Sequence, residues 1–235
     1  MSANEQRRIA VRVGAGAAIA GAVLGMVVNV AHGDLPEDHR AALTKVAQGG
    51  QWGLLHLGII VTALLVLVAL LGLSRPATGD AASVLSTGAA ALALPGAAVS
   101  ITVTAIDGFA TKAMADAWAA GDPDTPFANA VAVETVQNAL FHAEAAFFFG
   151  LPILLIGLAA QLPSAGLPRR TGWLAVAGGG GALLFGASGL AGQPLPGLLF
   201  NGFAGLITLW ALLVGIIMWR RTASRAEEAL LPMAS

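Results

Sequence analysis

The fold class this chain predicts is an all-α, polytopic bundle of six transmembrane helices. Both termini would be cytoplasmic, and the two large outer loops would carry short interfacial helices. Three observations predict it. The 235 residues are 57% hydrophobic and only 11% charged, too apolar to wrap a water-facing surface. Six apolar runs are each long enough for the roughly 20 helical residues that cross about 30 Å of hydrocarbon. The cations are shared unevenly between the two ends of those runs. A formal net charge of −1 gives no basic footprint for nucleic acid, and the absence of cysteine excludes disulfides, iron–sulfur clusters and thiolate metal sites.

The spans fall near 10–32, 53–73, 83–106, 139–162, 171–192 and 196–219, within a single membrane domain, 1–235. The first follows Arg7, Arg8 and Arg12, as a signal peptide would, but its apolar part is too long for a cleaved leader and reads as a retained span. With the N-terminus inside, the inner ends and loops hold Arg7, Arg8, Arg12, Arg75, Arg169, Arg170, Arg220, Arg221 and Arg225. The outer loops hold Arg40, Lys45 and Lys112, so the count is nine against three. This asymmetry predicts a multi-pass protein of the inner (cytoplasmic) membrane with both ends in the cytoplasm. Trp173 and Trp219 then mark the inner interface and Trp52 the outer one.

The outer connections carry structure of their own. The stretch from Asp34 to Val46 opens with an Asp/Pro cap signal and spaces Leu43 and Val46 three apart, as a short interfacial helix would. Phe109–Ala120 reads as a second such helix, and Thr125-Pro126 as the N-cap and first-turn proline of a long fourth helix. Gly21/Gly25 and Gly178/Ala182/Gly186, at four-residue spacing, are expected at helix–helix contacts, since lipid competes for leucine but not for close backbone approach. Pro95 and Pro152 are expected to disturb their spans.

Ionisable groups inside spans each cost about 2.5–3.5 kcal/mol on insertion scales, so each needs a partner or a job. Counted from the arginine-bearing ends at about 1.5 Å per residue, His32, His56 and His142 lie within about 5 Å of one another in depth, in the outer half. Asp107 and Glu144 share that half. Glu134, Asn138 and His142, at i, i+4 and i+8, form a stripe on one helix face that should meet protein or water. Asn29, Asn201 and Thr208 would join the same polar network.

Three functional readings follow. In the first, His56 and His142 from different helices ligate a b-type haem for electron transfer or redox sensing. Gly53, Gly58, Phe141 and Phe147 would wall the macrocycle, while Arg40, Lys45 or Lys112 would meet its propionates. Such a haem near one surface needs a quinone or an outer-side redox partner. In the second, two or three of His32, His56, His142, Asp107 and Glu144 hold a divalent metal, although no HxxxH or HExxH spacing is present and His142 and Glu144 point about 200° apart around their helix. In the third, these groups hydrogen-bond one another in a structural network, or line an outward-opening, transporter-like cavity.

Four segments carry a likeness to other proteins: Ala105–Trp118, Phe149–Ala159, Pro168–Trp173 and Leu209–Arg221. Together they resemble a broad family of small six-helix membrane proteins of high-GC bacteria, described as a domain of unknown function. The resemblance covers roughly residues 50–221. It implies the six-span topology and brings no activity and no ligand residues.

Overall fold

The computed structural model describes residues 1–36, 38–75, 80–121 and 124–230. It is all-helical, with no strand among the described residues, and six helices are long and apolar enough to cross a membrane. The first, α1 (Ala3–His32), begins where the Ser2 side chain accepts the Glu5 amide and ends at Gly33, whose φ of 60° lets its own N–H reach back to Asn29. The second, α3 (Trp52–Leu73), is reached through α2 (His39–Gln48), a short helix. The cap of α2 is Asp38, whose carboxylate accepts the Ala41 amide at 2.8 Å, so this helix starts later than the Asp34-Leu-Pro signal suggests. Leu43 and Val46 are its buried residues, as their spacing predicts.

The third apolar helix departs from expectation. Phe109–Ala120 is not a separate interfacial piece: α4 (Asp80–Ala105) runs on through a π-helical segment at Ile106–Thr111 into α5 (Lys112–Ala119). Asp107-Gly108 has the composition of a helix end. A π turn nevertheless keeps the backbone hydrogen-bonded with one residue more per turn, so the helix widens there rather than stopping. The fourth is likewise longer than the run that starts at 139. It comprises α6 (Asp124–Glu144), a π segment at Ala145–Gly150 and α7 (Leu151–Ala159). Pro152 has no N–H to give the preceding turn, and the widened segment lies directly before it. Pro95 lies within α4, whose α-helical pattern continues past it. The fifth and sixth are α8 (Arg169–Leu190) and α9 (Gly197–Leu230).

Neighbours in the chain are neighbours in space, and the ring closes on itself. Helix α1 packs on α3, α3 on α4, α4 on α6 and α7, α7 on α8, α8 on α9, and α9 back on α1. Alanines at zero or near-zero exposure (Ala15, Ala89, Ala93, Ala175, Ala182) bring the backbones close, while Leu70, Ile153, Ile156 and Trp210 fill the space between them. At the α1/α3 crossing a Cβ on Gly14 would stand 2.7 Å from Gly72 Cα, so any side chain there would push the helices apart. Gly21 and Gly25 face Leu65 and Thr62 of α3, and Gly178 and Gly186 face α9 and α6, at the contacts their spacing predicts. One end of the ring carries the arginines, with Arg12 stacked 4.7 Å over the Trp219 ring. The far end is covered by α2 and α5, whose Leu43, Val46 and Ala115 pack with Trp52 and Ala130.

Candidate metal centre

At the far end, three side chains from three helices meet beneath this cover. His32 is the last residue of α1, His56 lies one turn into α3, and Asp107 sits in the π-helical segment after α4. One ligand atom from each, the imidazole nitrogens and a carboxylate oxygen, all fall within 4.8 Å of one another. His56 Nε2 is 3.0 Å from Asp107 Oδ2, and His32 Nε2 is 3.8 Å from the same oxygen. His56 has no exposed surface, whereas the His32 and Asp107 side chains keep 20% and 19% of theirs, so the group opens toward the far face.

The protonation of both rings follows from their other nitrogens. His56 Nδ1 lies 2.8 Å from the Trp52 carbonyl oxygen, and His32 Nδ1 lies 2.8 Å from the Gly33 carbonyl oxygen. A carbonyl can only accept, so each Nδ1 carries the proton and donates it. In a neutral imidazole the Nε2 is then a bare lone pair. With both rings neutral, two lone pairs and a carboxylate come together with no donor among them. His56 Nε2 lies close to Asp107 Oδ2 and meets no hydrogen-bond donor among the described residues. Acceptors packed in this way repel unless a cation, either a proton or a metal ion, lies between them. Ring nitrogens fixed by backbone carbonyls on their remote side are the usual support of metal-ligating histidines.

Trp52 organises the group from two directions. Its Nε1–H donates to the Asp107 carbonyl at 3.0 Å, its own carbonyl takes the His56 proton, and its ring lies against both imidazoles, with centroids 4.6 and 4.7 Å away. Gly108 does the rest. Its Cα lies flush on His56, and a Cβ there would overlap the His56 Cβ and Cγ. The π turn that holds Asp107 also brings this bare stretch of backbone against the ring.

The other residues singled out by the sequence lie elsewhere. The ring neighbours of His142 are Phe141 and Phe185, and those of His56 are His32 and Trp52; the two sets share no residue. His142 rests on Gly189 of α8, where no Cβ would fit, and its buried Nδ1 has no hydrogen-bond partner among the described residues. Phe141 packs edge-on to Phe185 and Phe200. Phe147 is exposed on the outside of the ring, and Gly58 packs against Val28 of α1. Arg40 stacks 4.7 Å over Phe127, Lys45 donates to the Asp34 carbonyl at 2.6 Å, and Lys112 pairs with Asp116.

Glu144 is buried and accepts from Ser100 Oγ at 2.5 Å, apart from the three-residue group. The Glu134/Asn138/His142 stripe does not line an enclosed space along its length. Glu134 and Asn138 are exposed on α6, where Glu134 meets His39 Nδ1 at 2.8 Å, and His142 is half-buried with its Nδ1 enclosed. Asn29 and Asn201 are also exposed, and Thr208 bonds its own helix at Ala204.

Comparison with protein-family models, with curated proteins and with solved structures finds no match for this chain. The class rests on the fold alone: a multi-pass helical membrane protein whose surroundings are a lipid bilayer.

Proposed function

We propose that this chain is an inner-membrane protein, both termini cytoplasmic, that holds one divalent transition-metal ion between His32, His56 and Asp107 just beneath the extracytoplasmic face. The orientation is supported by the excess of arginine at the opposite end. The metal reading is carried by one observation: both Nδ1 atoms are committed to backbone carbonyls, leaving two Nε2 atoms and a carboxylate oxygen within 4.8 Å of one another. Two imidazoles and one carboxylate suit zinc or ferrous iron, and three protein ligands leave positions for water or a small substrate. The partly exposed His32 and Asp107 give access from the far face, so a bound ion would act as a Lewis acid toward molecules arriving there.

The test is metal analysis and cobalt exchange on the purified full-length protein. About one equivalent of bound ion is expected, with visible cobalt absorption that is lost in His56→Ala and Asp107→Asn. Less than about a tenth of an equivalent, together with a colourless cobalt sample, overturns the proposal and leaves an imidazolium–aspartate network in its place. A Soret band abolished by both His56→Ala and His142→Ala would instead support the haem reading, with its quinone or outer-side redox partner. The separate ring neighbours of the two histidines lend that reading no support.

A further inference from the structure

A second polar feature lies at the opposite end of the molecule. Between the first turns of α1, the connection from α7 to α8 and the last turns of α9 is a cavity of about 740 Å³, within the range of small-ligand sites. Among the described residues, Arg7, Arg8 and Arg221 line it against a single acid, Glu5. Arg221 is steadied by one bond from Nη1 to the Gly166 carbonyl at 3.3 Å, and one bond uses only one of the five N–H donors on a guanidinium. Arg8 has no hydrogen-bond or ion-pair partner among the described residues although it is only half-exposed. The amide ends of α1, the positive pole of a 30-residue helix, open on the same space. The level is that of a membrane interface, since Trp219 lies beside Arg12 one turn away and Trp173 is exposed at the start of α8.

We propose that this cavity is a binding site for a phosphate-bearing anion, held by the Arg8 and Arg221 forks with Arg7 beside them. Guanidinium pairs match the geometry of phosphate oxygens, and a basic pocket between helices at headgroup depth suits an anionic phospholipid. The shared chemistry is the phosphate. Its source, lipid headgroup or soluble phosphate, is separated by experiment.

The full-length protein in detergent is titrated with short-chain phosphatidylglycerol, with phosphatidylcholine of the same chain length, and with inorganic phosphate, while its Tm is followed. A rise of about 5 °C at a hundredfold excess over Kd is expected with phosphatidylglycerol and not with phosphatidylcholine. An equal rise with inorganic phosphate assigns the site to soluble phosphate, and its absence assigns it to lipid. The rise should vanish in the double variant Arg8→Gln/Arg221→Gln and persist in Arg169→Gln/Arg170→Gln, whose side chains lie outside the cavity. Arg8→Gln alone carries the test if the double variant does not fold. No rise with either phosphate compound, equal rises with both lipids, or a rise that survives Arg8→Gln overturns the proposal.

Discussion

His56 on α3 and His142 on α6 belong to one helical ring, yet their surroundings have almost nothing in common. His56 has every ring nitrogen facing a polar group: a carbonyl on one side, a carboxylate and a second imidazole on the other. His142 is packed among phenylalanines on a glycine, with one buried nitrogen unpartnered. The difference teaches that depth in the bilayer sets the cost of an imidazole, whereas helix azimuth decides what that cost is spent against. A nitrogen surrounded by aromatic carbon is a packing group with a polar blemish. One whose ring is fixed by a backbone carbonyl on the far nitrogen and which lies beside a carboxylate is poised for a cation.

That contrast can be broken by substitution, and the effects should fall in a definite order. Asp107→Asn keeps the volume but removes the only anion of the group, so metal affinity measured by competitive chelation should fall by more than about 100-fold, with His56→Ala comparable. Gly108→Ala comes next. Its added methyl overlaps the His56 ring base, which should cost about 1–3 kcal/mol of stability, seen as a lowered Tm, and should displace the ligand as well. Trp52→Phe preserves the ring but deletes the donor to Asp107, and affinity should fall by about 10–100-fold with the fold intact. His142→Phe should leave metal content unchanged and Tm unchanged or slightly raised, because it replaces an unpartnered buried nitrogen with carbon. Loss of metal in His142→Phe would erase the distinction between the two regions.

Much of the architecture was legible in the sequence, because bilayer thickness imposes a length on every span and small residues at four-residue spacing report helix contacts directly. The site was legible only in its parts. His32, His56 and Asp107 were all marked by the expense of burying them, but pairing them required knowing which faces of α1, α3 and the third helix turn toward each other. Depth alone paired His56 with His142 as readily as with His32. The π-helical segment was invisible, since Asp107-Gly108 has the composition of a helix end, and this is why Phe109–Ala120 reads as a detached piece. Trp52 carried an interface signal that concealed its bonds to the His56 ring and to the backbone carbonyl of Asp107. The Glu134/Asn138 stripe is expected to meet protein or water, but periodicity shows only which residues share a face and not how far a helix projects beyond its neighbours.

The most direct examination of the three-residue centre is X-ray absorption at the cobalt edge of the exchanged, full-length protein. The account predicts a first shell of nitrogen and oxygen with the outer-shell scattering of two imidazoles, unaltered in His142→Phe. A shell without imidazole scattering, or one that His142→Phe changes, would contradict it.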